Sequence, residues 1–193
     1  MVEAATGKSY EDLLRELVYR PLGLKKTSLP RGPNLRKPFI HGYDNDPSQD
    51  PPEDGSKALA AGWAWASGGI VSTPADLNTF IRAYVRGDLF DLQTRSKQRR
   101  VIEGGGSEPP GPGKNSAGLA IFRYETSCGT VWGHTGNIPG GYTQFMAASP
   151  DGKRSVTVSI NSQLSPPSTG DQDVFKALRR AEELAVCAAL AGT

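Results

Sequence analysis

The sequence predicts an α+β fold in which an antiparallel sheet is flanked by helices. Three observations indicate this: helical periodicity in the first half, alternation of apolar and polar residues after about residue 116, and a helical stripe near the C-terminal end. We expect a single domain over residues 1–193, with a helical and loop part over about 1–115 and strands plus a closing helix over about 116–193.

The first helix is predicted over about residues 10–20. Ser9 is an N-cap with Asp12 at the third position, and apolar residues then share one face: Tyr10, Leu13, Leu14, Leu17 and Val18. Pro21 is expected to stop this helix. Residues 28–57 are rich in Pro, Asp, Asn, Gly and Ser without periodicity, which favours a long surface loop.

The second helix is predicted over about residues 74–86, because Thr73 caps it, Pro74 takes its first position and Gly87 follows it. The basic run at 94–100 has no interleaved aromatic residues, so it indicates a solvated helix face and not a nucleic-acid patch. The segment GGGSEPPGPGK at 104–114 is expected to be a flexible connection that does not pack.

Strands are predicted over the remainder of the chain. Short apolar runs occupy 118–124, 129–132, 142–148 and 154–161, and an Asp-Gly pair at 151–152 indicates a hairpin between the last two. In the last strand Val156, Val158 and Ile160 alternate with polar residues and define a buried face. A closing helix over 173–189 presents a small-residue stripe to the sheet: Val174, Ala177, Leu178, Ala181 and Ala185.

Composition excludes several classes of partner. The formal charge is +2, from 22 basic and 20 acidic residues, which gives no global field for nucleic acid or an anionic membrane. No run reaches the roughly 18 apolar residues of a membrane span, and the first four residues lack the order of a signal peptide. His41 and His134 are far apart, so we expect no metal site and no cofactor. Cys128 and Cys187 are either two buried thiols or one disulfide.

The run VWGHTGNIPGGYTQF at 131–145 carries the main candidate site. His134, Thr135 and Gly136 follow an apolar, strand-like stretch. Gly136 would let another backbone approach closely, the Thr135 hydroxyl could donate to a carboxylate, and His134 could supply positive charge. An anion-facing strand edge is one interpretation; the same triplet is equally a way to begin a turn.

The stretch GHTG at 133–136, with Pro139-Gly140-Gly141-Tyr142 and DGKRSVTVSIN after it, resembles the third motif of the penicillin-recognising serine hydrolases. These include D-Ala-D-Ala carboxypeptidases, class C β-lactamases and related esterases. TGKSYEDLLRELVYRPLGLKKTSL resembles the family's helix ending in PLG(L/M)xxT, and WASGGIVSTPADLNTF resembles its AGGLVSTxxDLxxF segment. Ser127-Cys128-Gly129, the HTG in place of KTG and the second cysteine make the chain more similar to the carboxypeptidase branch.

The resemblance implies roles for individual residues. His134 and Thr135 would face the carboxylate of a small-molecule or peptide substrate, Gly136 would let that substrate lie along the strand, and the backbone N–H of Asn137 would be an oxyanion donor. Arg123 would add positive charge, although an exposed Arg on a sheet edge is the more frequent situation. These enzymes are mostly exported, which favours a Cys128–Cys187 disulfide, although no signal peptide is present in this sequence.

One departure from the family is large. The activated nucleophile requires Ser-x-x-Lys, and none of the serines has a Lys three residues on. Tyr43-Asp44-Asn45 spells the family's Tyr-x-Asn motif but follows the PLGL signature, so we interpret Tyr43 as a coincidence in a loop.

The chain is therefore expected to be the C-terminal portion of such a hydrolase, lacking the N-terminal strands and the nucleophile helix. The strand around 156–160 would then have an open edge, with weak monomer stability and self-association as consequences. The alternative is a non-catalytic remnant or a binding module of the same fold that cannot be acylated.

Overall fold

A computed structural model describes residues 1–32, 34–44, 46, 48–57, 62–139, 141–164 and 172–192. Helices and loops come first, an antiparallel sheet follows, and a long helix closes the chain. This order confirms the α+β prediction.

The N-terminal helical region continues beyond its predicted end. Helix α1 is Val2–Thr6, and α2 is Tyr10–Leu14, whose N-cap Ser9 accepts a hydrogen bond from the Asp12 N–H. A π-helical turn, Arg15–Tyr19, and helix α3, Arg20–Leu22, follow without a break. The prediction that Pro21 stops the helix is wrong, because the wide π-helical turn displaces the hydrogen-bond register just before the proline ring. The helix ends at Gly23 in the left-handed conformation, with φ 67°.

The second predicted helix is confirmed. After the short α4, Trp65–Gly68, helix α5 is Pro74–Arg86; its cap Thr73 accepts from the Asp76 N–H, and Gly87 ends it with φ 84°. These are the cap, first residue and terminator that the sequence indicates.

Helix α6, Leu92–Gln98, carries most of the basic run. The residue after it, Arg99, departs from the expected solvated face. Its guanidinium lies over the Trp132 ring at 5.3 Å and donates to the backbone oxygens of Val85, at 2.7 Å, and Pro150, at 3.0 Å. Arg99 thus joins α5 to the sheet.

The sheet has six antiparallel strands in sequence order, as far as the described residues define it. They are β1 Ile102–Glu103, β2 Lys114–Ala117, β3 Phe122–Thr126, β4 Gly129–Ile138, β5 Tyr142–Ala148 and β6 Ser155–Ile160. The strand predicted at 118–124 is correct only for 122–124, which begin β3, since a turn at 118–121 separates β2 from β3. Ala120 has φ 55° in that turn, a conformation no strand residue adopts. The prediction at 129–132 covers only the beginning of β4.

Helices cover both faces of the sheet. On the α5 face the core comprises Ile81, Val85, Ile121, Trp132 and Ala148. On the other face helix α7, Gln172–Ala191, packs over a core of Tyr124, Val131, Phe145, Ala147 and Val186. The buried residues of α7 include Phe175, Leu178, Glu182 and Val186, whereas Ala177 and Ala181 of the predicted stripe are exposed. The larger apolar side chains, and not the alanines, decide which side of α7 meets the sheet.

Strand β6 lies at the edge of the sheet. It pairs with β5 from Ser155 to Ile160, and within the described part of the chain no strand pairs with its other side. Just beyond its end, Tyr43 bridges to Ser162. This is the open edge that the sequence led us to expect. Among the described residues, no helix combines the length and apolar character that crossing a bilayer would require.

Candidate functional site

The His-Thr-Gly triplet lies in the second half of β4, where the strand is paired on one side. The β3 ladder ends at the pair Phe122–Gly133, whereas the β5 ladder continues to Ile138–Tyr142. Residues 134–138 therefore have no strand on their β3 side among the described residues. We call this stretch the half-paired segment. Backbone groups on that side lack a strand partner among these residues, and an extended ligand can pair with such an edge.

Side chains of the half-paired segment alternate between the two faces of the sheet. His134 and Gly136 follow Trp132 on the α5 face, and His134 is exposed. The His134 ring meets the Phe122 ring edge-on with centroids 5.1 Å apart, and its Nδ1 contacts the Thr135 oxygen. Within the described part of the chain, a Cβ built on Gly136 would meet no atom within 4 Å. The α5 face is thus open over Gly136.

Thr135 has a different environment, because it points to the α7 face. It is 4% exposed, and its hydroxyl donates to the Pro109 carbonyl oxygen at 2.7 Å. The structure therefore does not bring the Thr135 hydroxyl together with His134 and Gly136. Those expected site residues that lie on β4 therefore alternate between its two faces.

Pro109 belongs to a segment, residues 105–113, that we call the strap. The expectation that this region does not pack is wrong: Ser107, Pro109, Gly111 and Pro112 are buried against the sheet. Because buried carbonyl groups need donors, side chains from other elements bind them. Donors reach the strap from Asn115 and from α7.

Two of these donor groups belong to Asn115 and Arg179. Asn115 Nδ2 donates to Pro112 O at 3.2 Å and Gly113 O at 3.1 Å. Arg179 donates to Gly111 O at 3.1 Å and Gly113 O at 2.6 Å. The strap is thus held by hydrogen bonds that its own glycine- and proline-rich sequence does not reveal.

A buried carboxyl group from α7 lies on the same face as the strap. Glu182 is 1% exposed, and its Oε2 has no hydrogen-bond partner among the described residues. Burial raises the pKa of Glu182 to about 8, with the Arg179 charge acting in the opposite direction. Burial also raises the pKa of Tyr124, with a smaller contribution in the same direction from Glu182. At neutral pH Glu182 is mainly the neutral acid.

Arg123 is not on a sheet edge. It lies on β3, between β2 and β4, and its guanidinium pairs with Glu103 at 2.8 Å and with Glu125 at 3.1 Å. Its side chain is 24% exposed. Two carboxylates therefore neutralise the Arg123 charge that we expected to face a substrate.

The backbone of Asn137 belongs to the half-paired segment, while its side chain points to the α7 face. Asn137 Nδ2 contacts Leu164 O at 3.5 Å. Opposite Asn137, Thr143 accepts from the Leu164 N–H at 2.7 Å. The chain after β6 thereby fixes the backbone of the hairpin at this position.

Cys128 and Cys187 form a disulfide, with Cα atoms 5.3 Å apart. The bond joins the turn between β3 and β4 to α7. Ser127 supports the same connection, since its N–H and hydroxyl both donate to Glu183, at 3.0 and 2.7 Å. The helix that covers the strap is therefore tied covalently to the strand pair that carries the site.

A second polar cluster was not foreseen from the sequence. His41 Nδ1 lies 2.7 Å from Asp54 Oδ2, and Ser56 Oγ lies 3.4 Å from the same nitrogen. This is not a nucleophilic triad, because a triad needs the carboxylate and the serine on opposite ring nitrogens. The residues come from a loop without periodicity, so no spacing rule could have indicated the cluster. Tyr43, near it, makes backbone bridges to Asp54 and Ser162, and Asn45 of the Tyr-x-Asn match lies outside the described residues.

The six-stranded antiparallel sheet between helices matches the fold of the β-lactamase and penicillin-binding serine hydrolases. The chain belongs to the Beta-lactamase family, whose model matches residues 1–181.

Solved structures show the same fold. The chain is 27% identical to a D-stereospecific amidohydrolase from Streptomyces sp., with a TM-score of 0.74, covering 94% of this chain and 50% of that one. A D-amino acid amidase from Ochrobactrum anthropi SV3, complexed with L-phenylalanine, gives 21% identity, TM-score 0.77 and coverage of 95% and 55%. An octameric penicillin-binding protein homologue from Pyrococcus abyssi is 21% identical, with a TM-score of 0.69. The match covers 100% of this chain and 40% of that one. The chain thus spans about half the length of these proteins.

Proposed function

We propose that this chain forms the substrate-binding side of an acyl-transferring serine hydrolase that acts on D-Ala-D-Ala peptides, β-lactams, or small esters and amides. The observation that carries the proposal is the half-paired segment 134–138 with open space over Gly136. The D-stereospecific amidohydrolase, at 27% identity, supports the amide-type substrate.

Each part of the segment has a role in this proposal. The substrate lies along the free edge, its carboxylate faces His134, and the Asn137 N–H donates to the carbonyl oxygen that becomes the oxyanion. A serine oxygen adds to the carbonyl carbon, its proton passes to a base, and the amine or alcohol leaves with a proton. Water then releases the acyl group from the serine in a second addition.

Thr135 and Arg123, which the sequence places at the site, have other roles in this proposal. Because the Thr135 hydroxyl is bound to Pro109, we assign Thr135 as a positioning residue that fixes the segment to the strap. The carboxylates of Glu103 and Glu125 occupy the Arg123 guanidinium, so Arg123 supplies no free charge to the substrate.

The serine of this reaction does not come from a Ser-x-x-Lys in the 193 residues, because the sequence contains none. The proposal accordingly requires a Ser–Lys pair from polypeptide outside these residues. The same observation favours a second candidate function, a binding module that holds carboxylate ligands without acylation. DNA sequence upstream of Met1 separates them: an in-frame Ser-x-x-Lys supports the hydrolase, and a closed frame supports the module.

The substrate-binding part of the proposal can be tested on this chain. We expect no covalent adduct with a fluorescent penicillin by intact-mass analysis, and reversible shifts of the 134–138 amide resonances on titration with D-Ala-D-Ala. Gly136→Val fills the open space and should abolish these shifts, whereas Ser155→Val, at the far end of the sheet, should retain them. A covalent adduct would place the nucleophile within the chain, and shifts confined to other residues would refute the binding site.

We propose, in addition, that the open edge of β6 mediates self-association. The edge has backbone groups without a strand partner in the described residues, and such edges pair readily with another chain. The homologue from Pyrococcus abyssi is octameric, which supports assembly as a property of this fold.

A further inference from the structure

Positive charge is concentrated where helix α6 and the residues after it lie beside the end of α5. Residues 92–102 contain four cations, Arg95, Lys97, Arg99 and Arg100, and no carboxylate. None of the four forms an ion pair with any residue that the structure describes. The formal charge of the whole chain is only +2, so this concentration of charge is local.

The fold holds two of these cations close together. The Arg99 guanidinium is fixed by Val85 O at 2.7 Å and Pro150 O at 3.0 Å. Arg95 packs against the turn after α5, since a Cβ on Gly87 would lie 2.7 Å from Arg95 Cδ. Burial first, and then the positive charge of Arg95, lower the pKa of Arg99. Like charges held together without a counter-charge attract an anionic partner.

Exposed aliphatic side chains lie next to these cations. Apart from Met1, the three most exposed large hydrophobic residues among those described are Leu92 at 80%, Ile102 at 73% and Leu119 at 65%. Leu119 adjoins α6, because its N–H donates to Gln98 O at 3.0 Å. Single exposed apolar residues are ordinary on protein surfaces. Here the three highest exposures occur together, beside unpaired cations.

Helix geometry places Leu92 and Lys97 on the two sides of the outward face of α6. Gln98 is the buried residue of this helix. Since successive helical residues are about 100° apart, Leu92 and Lys97 lie about 120° and 100° from Gln98 in opposite directions. Apolar and positively charged side chains therefore flank one outward face. We call the exposed side chains of residues 92–102, together with Leu119, the α6 surface.

This combination suits an anionic lipid bilayer better than other anionic partners. Aliphatic side chains enter the boundary between headgroups and acyl chains, while Lys and Arg keep their charges at the headgroups. A single-stranded nucleic acid stacks on aromatic side chains, and none of the exposed large hydrophobic residues described on the α6 surface is aromatic. The core of a protein interface is, in contrast, depleted of charged residues.

We propose that the α6 surface docks onto an anionic lipid bilayer, with Leu92 and Leu119 inserted at the headgroup level and Lys97 and Arg100 facing the lipid phosphates. The contact is peripheral and involves side chains only. This inference does not depend on the proposed function, because the α6 surface contributes no residue to the half-paired segment.

The test is cosedimentation of the 193-residue chain with vesicles of phosphatidylcholine, alone or mixed with an equal amount of phosphatidylglycerol. We expect partition into the mixed vesicles to be roughly tenfold stronger and to weaken as salt is added, because ions screen exposed charges. Lys97→Gln/Arg100→Gln removes two cations, and each should weaken partition roughly fivefold, equivalent to about 1 kcal/mol. Leu92→Gln/Leu119→Gln keeps the charge and should weaken it by roughly fivefold or more.

Two matched controls make the same chemical changes on other elements. Lys25→Gln/Lys26→Gln removes two cations near the beginning of α5, where the Lys26 N–H donates to Asp76. Leu17→Gln/Leu184→Gln replaces two exposed leucines outside the α6 surface. Both controls should bind the mixed vesicles as the unmodified chain does.

Equal partition into the two kinds of vesicle would overturn the inference, and so would equal losses in the variants and their controls. Binding that depends on Lys97 and Arg100 but not on Leu92 and Leu119 would also overturn it, because charge alone attracts any polyanion, nucleic acid included. A Leu92→Gln/Leu119→Gln chain that sediments more slowly than the unmodified chain without vesicles would assign the α6 surface to a contact between copies instead.

Discussion

The Thr135 hydroxyl donates a hydrogen bond to the Pro109 carbonyl oxygen, 2.7 Å away, and so joins the candidate strand to the strap behind it. Thr135 is 4% exposed, which means that neither partner can turn to water instead. Removing the hydroxyl leaves a buried carbonyl group without its donor.

We therefore expect Thr135→Val to lower the free energy of unfolding by about 1–3 kcal/mol. Urea denaturation measures it, with Thr130→Val as the control, since Thr130 lies on the same strand and is only half-buried. Equal unfolding midpoints for the two variants would show that the bond does not stabilise the strap.

Glu182 should make the stability fall as pH rises. Its pKa is about 8 in the folded chain and near the ordinary value of 4.5 in the unfolded chain. The folded state therefore binds the proton more tightly than the unfolded state does. The stabilisation is complete below about pH 4.5 and is lost as pH rises through about 8, by up to about 1.4 kcal/mol per pH unit.

A matched variant separates Glu182 from the other titrating groups. Glu182→Gln keeps the shape of the side chain without its charge. Measured by urea denaturation between pH 5 and 8, the free energy of unfolding of this variant should lose most of its dependence on pH. Glu183→Gln, one residue along, is the control, because Glu183 is bound to Ser127 near the surface. A slope that persists in Glu182→Gln would contradict the assignment.

The disulfide between Cys128 and Cys187 should contribute strongly to stability. It closes a loop with a sequence separation of 59 residues. Loop-closure entropy for a loop of that length corresponds to about 4 kcal/mol. We expect dithiothreitol to lower the melting temperature to that of Cys128→Ser/Cys187→Ser, which should not respond to dithiothreitol. A reductant that leaves the melting temperature of the unmodified chain unchanged would argue against the contribution.

Self-association through β6 should be sensitive to charge on that strand. Ser159 is exposed on β6, so Ser159→Lys in two chains would bring like charges together at a paired edge. In sedimentation velocity, the distribution of species for Ser159→Lys should shift toward the monomer. Leu184→Lys adds the same charge on α7 and should leave the distribution unchanged. Equal effects of the two substitutions would indicate that net charge, and not the edge, governs association.

Local signals explain which elements the sequence predicts well. Helix α5 has its cap, first proline and terminal glycine within its own residues, and β5 and β6 have the Asp-Gly turn between them. These determinants are short-range, so propensity and pattern suffice.

The errors arise where distant residues decide the structure. Nothing in residues 105–113 indicates that Asn115, Arg179 and Thr135 bind their carbonyl groups. Their composition alone therefore predicts a flexible connection. Likewise Arg123 looked available because its two carboxylate partners become neighbours only in the folded sheet. The family resemblance indicates the strand that carries residues 133–136. Only the pairing of the strands in three dimensions shows toward which face of the sheet each side chain points.

If an extended ligand binds beside β4 as proposed, the unequal pairing of this strand would let the molecule distinguish mirror-image ligands. An extended chain laid beside residues 134–138 would direct its substituents alternately toward the open side at Gly136 and toward the side filled by Pro109. Inverting one α-carbon exchanges its hydrogen with its side chain, so one enantiomer would place bulk in free space and the other against the strap. Handedness would then be selected by the difference in room on the two sides of a single strand, without any charged contact.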